Sequence, residues 1–419
     1  MKKVTYFGLL LAVALTGLSS CSSSDDVTSD PTNTKSGESR LTLTISTPVA
    51  KTSSAKGNSF AMGSRATDIN SDPGATAEQQ INRITVGIFD ANGTTVRTIQ
   101  ELTKSTGTPA VGDGTYSQSA DKATATIVTN SLTSTDKIYV VCNAPASAFN
   151  GVQSATDFQN VTETIDNALI TPSTGSAGTS IIATNIPMYG EGTLAADGSN
   201  FKADITVQHQ TAKVTLSSLT VDFDQNGAYK EASFTPTRFF LINVPNDLKF
   251  NTGAAITATT TLLQGYAQTT DKTTDAYKEY LTTSPLTGGS ALSGNASATP
   301  TNKFVSTYYF YTMPNSLTDE DKRTKLVIEG NFKSNSSDTK GATVYYPVSL
   351  NANYDATGKA SAAEGSTVFA VNPNKNYKCS VIIKTKGASD PYTNITPQQA
   401  AITVTVSAFS DANQTTIFN

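Results

Sequence analysis

Short runs in which apolar and polar residues alternate recur along most of the chain, separated by residues that favour turns. A period of two is typical of β-strands with one buried face. Residues 84–89 are followed by Asp90-Ala91-Asn92-Gly93, and the Asn-Gly pair favours a tight hairpin turn. Residues 157–168 predict a short helix. The remaining predicted strands are residues 41–46, 123–128, 137–142, 201–207, 213–219, 239–244, 308–312, 325–332, 343–350, 377–384 and 402–409.

Many short strands without regularly interleaved helices are typical of β-sandwiches, so the pattern predicts an all-β protein. The 419 residues are enough for two domains after export processing. We place the boundary between these domains near residues 209–211, where one group of strands gives way to the next.

The first residues indicate an export signal rather than an element of the fold. Lys2 and Lys3 precede an apolar stretch over residues 7–18, which is too short to span a bilayer as a helix. The stretch ends in Leu18-Ser19-Ser20-Cys21, the arrangement that a lipoprotein signal peptidase requires. We expect residues 1–20 to be a lipoprotein signal peptide and Cys21 to carry lipid. An ordinary signal peptide beside a chance cysteine is the alternative.

The residues after Cys21 are polar and show no apolar periodicity, so they predict a flexible tether. Asp25 and Asp26 resemble the acidic surface-export signal of Bacteroidetes lipoproteins. The alternative is that they only keep the tether soluble.

Charge and cysteine content narrow the class of protein. The chain has 30 basic and 34 acidic residues, a net charge of −4, and so no basic field for nucleic acid. Cys142 shares a strand face with Ile138 and Val140, and Cys379 lies in a similar apolar run, which predicts that both are small buried residues. A bond between them stays open, although they fall in different predicted domains.

The residues that catalysis usually needs are scarce. His209 is the only histidine, and no nucleophile-elbow motif, phosphate loop or zinc spacing accompanies it. Residues 222–227 match the first half of a calcium loop, but Ser233 stands where the bidentate Glu belongs, so a polar hairpin turn is the better interpretation. Glu191, Asp319 and Glu320 leave a glycosidase pair open, yet the chain has no Trp. We expect neither an enzyme nor a cofactor.

Four segments, together with the lipoprotein signal, resemble one known family. They are residues 81–90 (INRITVGIFD), 138–145 (IYVVCNAP), 186–190 (IPMYG) and 309–315 (YFYTMPN). These segments are similar to those of the type V pilins, the FimA-like fimbrillins of Bacteroidales. Two departures are His209-Gln210, where many members have a basic residue, and Phe409, where members often have Trp.

The resemblance implies two tandem transthyretin-like, Ig-like β-sandwich domains followed by a C-terminal donor-strand tail. The expected segments are a pro-segment over residues 21–65, domains over 66–210 and 211–395, and a tail over 396–419. It also implies a precursor anchored by lipid in the outer membrane, an Arg-specific protease that cuts it, and assembly with other pilin subunits into a surface fimbrium.

Arg65 is the arginine best placed for that cut, so the mature chain would begin at Ala66. It lies in a stretch of small residues without a strand pattern, and mobile backbone is what a protease cleft accepts. Arg40 directly precedes a strand pattern, and Arg83 lies at the edge of another. An exposed loop arginine without a processing role is the alternative.

The strand removed by this cut has a close match near the C-terminus. In Leu41-Thr42-Leu43-Thr44-Ile45 and in Ile402-Thr403-Val404-Thr405-Val406, aliphatic and hydroxyl residues alternate in the same order. In each extended segment the three aliphatic side chains share one face. We expect the strand of the tail, residues 402–409 with Phe409 at its end, to replace the removed strand in the next subunit by β-augmentation. The alternative is that residues 402–409 are simply the last strand of their own domain.

Shaft subunit is the role that these parts favour, and three other roles stay open. An anchor subunit would keep its lipid and lack a cleavable strand, and a tip subunit would lack a donor tail or carry an adhesin insert. A monomeric surface-binding lipoprotein belongs to a different class altogether.

The processing scheme predicts that the precursor incorporates labelled palmitate and that protein sheared from fibres starts at Ala66 without lipid. The measurements are palmitate labelling, with Cys21→Ala as the control, and N-terminal sequencing of polymer. Equal labelling of both forms, or polymer that starts near residue 21, would contradict the scheme.

Overall fold

The computed structural model describes residues 38–48, 75–170, 183–251, 260–267, 276–286, 289–295, 302–304, 306 and 308–409. Strands make up most of the elements in these ranges, and helices are few and short. The all-β prediction is confirmed.

The eleven described strands before residue 210 are called the first group. They are β1 (Glu38–Ser46), β2 (Ile84–Phe89), β3 (Val96–Lys104), β4 (Gly114–Ser119), β5 (Lys122–Asn130), β6 (Lys137–Cys142), β7 (Thr162–Thr164), β8 (Met188–Thr193), β9 (Ala195–Asp197), β10 (Asn200–Thr206) and β11 (Gln208–His209).

The later strands form the second group. They are β12 (Ala212–Val221), β13 (Ser233–Ile242), β14 (Val244–Pro245), β15 (Asp247–Lys249), β16 (Leu262–Leu263), β17 (Leu292–Ser293), β18 (Lys303–Phe304), β19 (Tyr308–Thr312), β20 (Lys325–Lys333), β21 (Ala342–Ser349), β22 (Asn353–Tyr354), β23 (Ala360–Ser361), β24 (Lys375–Ile383) and β25 (Ala400–Ala408).

The described helices are short connectors between strands. They are α1 (Ala75–Glu78), α2 (Ala155–Asn160), a π-helix (Asp166–Ile170) and two 3₁₀ turns (Ala183–Asn185 and Glu279–Leu281). None of the described helices is long and apolar enough to cross a membrane.

All strands of the first group except β7 form one ten-stranded path, β11-β8-β6-β2-β3-β4-β5-β1-β10-β9. β3 and β4 meet through a brief parallel pairing of Thr103 with Thr115 and Lys104 with Tyr116. The path folds over there, because a single apolar core takes side chains from β2 and β6 on one side and from β1 and β5 on the other. The result is two packed layers.

Apart from β14, β15, β16, β22 and β23, which lie in separate two-stranded sheets, the strands of the second group form two sheets that also pack face to face. One has the order β18-β12-β24-β25, with β19 also on β12, and the other has the order β17-β13-β20-β21. Both sheets contribute to one large core, which continues to Phe89, Tyr139 and Val141 on the outer faces of β2 and β6. β6 is therefore buried on both faces, as the unbroken burial of Ile138–Cys142 shows.

Polar contacts also tie the two groups together. β7 pairs antiparallel with β15, so a two-stranded sheet crosses between them. Asp166 accepts hydrogen bonds from Lys278 Nζ at 2.6 Å and from the Tyr280 hydroxyl at 2.9 Å. These contacts and the shared core join both groups into a continuous packed structure.

The hairpin predicted after residue 89 is confirmed. β2 and β3 pair antiparallel, and Gly93 has φ of +77°, a value that favours glycine. The Asp90 carboxylate accepts hydrogen bonds from the backbone N–H groups of Thr94 and Thr95 at 2.7 and 2.9 Å, which closes the turn.

Two local predictions are wrong. The helix predicted over residues 157–168 is broken, because the chain turns extended at Val161 and forms β7 against β15. β-branched residues at 161, 162 and 164 favour that strand. Residues 222–227 form a turn but not a hairpin, because β12 and β13 belong to opposite sheets.

Candidate polymerisation site

β1 lies in the interior of the ten-stranded path and has a backbone partner on each edge. It pairs antiparallel with β5 along its whole length, Glu38–Ser46. It pairs parallel with β10 over Leu41 to Ser46. We call the space between β5 and β10 that β1 fills the β1 groove. Withdrawal of β1 would expose two rows of unpaired backbone groups.

The inward side chains of β1 make the groove apolar. Leu41, Leu43 and Ile45 are each 0% exposed, whereas Thr42 between them faces solvent. Burial of one such aliphatic side chain is worth roughly 1.5–3 kcal/mol. The three together contribute on the order of 5–9 kcal/mol before ordering costs, so an empty groove is strongly unfavourable.

Three of the predicted processing residues, Cys21, Arg65 and Ala66, lie outside the described residues. The rival arginines lie within them. Arg40 lies inside β1 rather than ahead of it. Arg83 directly precedes β2 and forms an ion pair with Glu101 at 3.0 Å. A cut after Arg40 would leave most of β1 in the sheet. A cut after Arg83 would release β1 but would also remove α1, whose Glu78 pairs with Lys213.

The tail strand, β25, occupies the end of its sheet. It pairs antiparallel with β24 over its full length and follows that strand as the last in the order. Val404 is 2% exposed, but Ile402 and Val406 are only half-buried and Thr403 and Thr405 face solvent. The three aliphatic residues of the tail are thus less completely buried than their counterparts in β1.

Phe409, just after β25, is inserted in a buried polar and aromatic cluster at the junction of the two groups of strands. Its ring stacks on His209 with centroids 4.2 Å apart and lies 5.8 Å from Tyr311. The Tyr311 hydroxyl donates to Glu78 Oε1 at 2.8 Å, and Lys213 Nζ contacts the same oxygen at 2.8 Å. We call these residues the junction cluster: Glu78, His209, Lys213, Tyr311 and Phe409.

His209 is a structural member of the junction cluster. Its Nε2 donates to the Glu78 carbonyl at 2.9 Å. Burial lowers the pKa of His209 to about 4, and the nearby positive charge of Lys213 acts in the same direction. A neutral imidazole therefore stacks on Phe409 at neutral pH. α1, β11, β12, β19 and the residue after β25 all meet there.

The carboxylates that the sequence offered for a calcium or a glycosidase site do not come together. Within the described ranges, no group of three or more His, Cys, Asp or Glu side chains is placed to hold a metal ion. Asp224 instead accepts a hydrogen bond from the N–H of Asn226, inside its own turn. Glu191 accepts from the Tyr189 hydroxyl at 2.6 Å, whereas Glu320 contacts Arg323 on the other group of strands. These carboxylates lie on different elements with different partners.

Cys142 and Cys379 are both buried free thiols. They belong to different apolar clusters, so the disulfide left open by the sequence does not form. Burial raises the pKa of each thiol to about 12, which suits an inert packing residue.

Sequence inspection missed the residues that hold the tail in place. His209 and Phe409 stand out in the sequence, but their contact joins residues far apart in the chain. Glu78 and Lys213 are 135 positions apart, and Asn353, which bonds to Val404, is 51 positions from it. A single charged residue in an otherwise uncharged strand, as Lys213 is in β12, is the only local signal of such a buried pair.

Comparison with known proteins confirms the resemblance to fimbrial subunits. Residues 58–217 match the family of the major fimbrial subunit protein (FimA). This range includes β2 to β11, the start of β12 and three of the segments singled out in the sequence, 81–90, 138–145 and 186–190. No curated protein matches the chain.

Solved structures show that the fold extends over most of the chain. A FimA fimbrilin from Porphyromonas gingivalis has 16% identity and a TM-score of 0.52, covering 89% of this chain and 99% of that one. Proposed cell adhesion proteins from Bacteroides eggerthii (20% identity, TM-score 0.54, 89% and 96% covered) and Parabacteroides distasonis (12%, 0.56, 89% and 99%) are similar. The proteins it resembles are thus fimbrial or adhesion proteins rather than enzymes.

The junction cluster predicts that the protein loses stability in acid through His209. The folded pKa lies below the unfolded value, so the stabilisation is complete above pH 6.5 and is lost as the pH falls through 4. The loss amounts to about 3 kcal/mol. Urea unfolding at pH 7 and pH 4.5 measures it, with His209→Gln as the variant that lacks the titration. An equal acid loss in both proteins would contradict the assignment.

Proposed function

We propose that this protein is the shaft subunit of a surface fimbrium, polymerised when the tail of one subunit fills the β1 groove of the next. The match to the FimA family supports the fimbrial role. The observation that carries the strand-exchange step is the equivalence of two strands in different environments. β1 lies in the middle of a sheet, and β25, with the same alternation, lies at the end of one.

The β1 groove and the position beside β24 differ in the backbone partners and the side-chain burial that they offer to a strand of this pattern. A strand in the β1 groove has β5 on one edge and β10 on the other, whereas among the described strands β25 pairs with β24 alone. Transfer to the groove would complete the burial of Ile402 and Val406, worth about 1.5–3 kcal/mol for two half-buried side chains. An empty β1 groove leaves two strand edges unpaired, whereas departure of β25 leaves one. Transfer of the tail to the groove therefore lowers the number of unpaired edges.

Proteolysis is what would make the groove available. While β1 is attached it fills the groove, so the uncut chain is protected from assembly. We propose that an Arg-specific protease cuts after Arg65 and releases residues 21–65 together with the lipid on Cys21. α1 remains with the mature chain and is held there by the Glu78–Lys213 contact, with both side chains almost fully buried.

An anchor subunit is the second candidate, because β1 as described is fully integrated in its sheet. A chain that escapes the cut would keep both its lipid and a filled groove. It could donate its tail but could not accept another. This role would be identified if the uncut chain is found mainly at the end of the fibre nearest the cell.

The proposal predicts a specific disulfide between neighbouring subunits. In the proposed exchange Val404 takes the place of Leu43, and Leu43 in β1 lies opposite Ala125 in the neighbouring strand β5. Val404→Cys and Ala125→Cys should therefore give disulfide-linked ladders in fibres. The Cys379→Ala background is needed because Cys379 faces Val404 within the same chain.

The matched control replaces Thr403 rather than Val404 with Cys, since Thr403 points to the opposite face and should not give ladders. Crosslinks confined to single chains would contradict strand exchange. Normal fibres from a chain that ends at Gln399 would contradict it as well, and monomers alone would favour a surface-binding lipoprotein.

A further inference from the structure

The outer edge of β25 is bonded by one side chain. Asn353 Oδ1 accepts a hydrogen bond from the Val404 N–H at 2.7 Å, and Asn353 Nδ2 donates to the Val404 carbonyl at 3.1 Å. The carboxamide thus bonds to both polar groups of a single residue, as a neighbouring β-strand would.

Val404 is the residue of the tail where such a bond has most effect. In an antiparallel pair, alternate residues direct both backbone groups away from the partner strand. Val404 is opposite Cys379, and both of its backbone groups point to Asn353 rather than to β24. Its side chain is also the most buried of the three aliphatic residues. An unpaired backbone group beside it would be costly.

Asn353 is held in a small hairpin that belongs to the body of the subunit. β22 and β23 pair through Asn353 with Ser361 and Tyr354 with Ala360. The Asp355 carboxylate closes the turn by accepting from the N–H groups of Thr357 and Lys359 at 2.8 and 3.0 Å. The backbone that carries the carboxamide is therefore held independently of the tail.

We propose that Asn353 is a latch that retains the tail on its own subunit and sets the rate at which the tail becomes available for assembly. The inference rests on the proposed function and adds its regulation. The latch covers the middle of an end strand, which otherwise attracts unrelated strands. In the β1 groove the same Val404 backbone groups would face a neighbouring strand, so the hydrogen bonds lost from Asn353 would be replaced there. The latch therefore acts on the rate of release and not on the stability of the fibre.

Asn353→Asp tests the latch, because a carboxylate cannot donate to the Val404 carbonyl and its charge repels that oxygen. The first measurement uses the uncut full-length chain, in which β1 fills the groove. Hydrogen exchange of residues 400–409 should be at least tenfold faster than in the parent protein, while exchange of residues 38–46 should not change. Asn353→Ala, which removes both bonds without adding charge, serves as a second variant should the first fail to fold.

The second measurement follows polymerisation after the pro-segment is cut, and both variants should assemble several-fold faster than the parent. The matched control is Asn331→Asp, which removes a hydrogen bond to the Lys340 carbonyl in another hairpin without touching the tail. It should alter neither rate.

Unchanged exchange of the tail in both variants would overturn the latch, and so would faster exchange without faster assembly. If neither parent nor variants polymerise after cutting, the proposed function fails, and with it the role of the latch in assembly. Faster tail exchange in that case would leave Asn353 as a local contact only.

Discussion

The structure depends on one constraint: β1 is a central strand, and a central strand cannot be removed without a replacement. Its backbone bonds to β5 and β10, and its three inward side chains are fully buried. Loss of β1 would expose both a row of apolar pockets and two strand edges, a combination that drives association with another strand. Such a sheet is complete only with a strand from its own chain or from a neighbour.

The junction cluster links that constraint to the tail. Phe409 stacks on His209, and Glu78 in α1 contacts Lys213 and Tyr311. The short helix between β1 and β2 and the residue after the last strand therefore meet in one buried cluster. Removal of the tail from its own subunit, as the proposed exchange requires, would break the Phe409 stacking but leave the Glu78–Lys213 pair, so the two groups would stay joined.

The sequence predicts the elements whose side chains alternate strongly, and it fails where tertiary contacts decide. β1, β2, β6 and β24 are visible because buried aliphatic positions recur at every second residue. β3 and β4 were not predicted, because their polar residues hide the period. Residues 161–164 became a strand only through pairing with β15. Asn353 has no local signal at all, since a side chain that mimics a backbone partner is recognisable only beside Val404.

The central claim is that the tail must leave β24 before subunits join, and a reversible lock tests it most directly. Val404 lies opposite Cys379 in a non-hydrogen-bonded pair, where Cα atoms are typically about 4.5 Å apart, within the range that a disulfide spans. Val404→Cys, refolded under oxidising conditions and then cut, should stay monomeric and should polymerise once the bond is reduced. Polymerisation of the oxidised, locked protein at the rate of the reduced one would contradict the account.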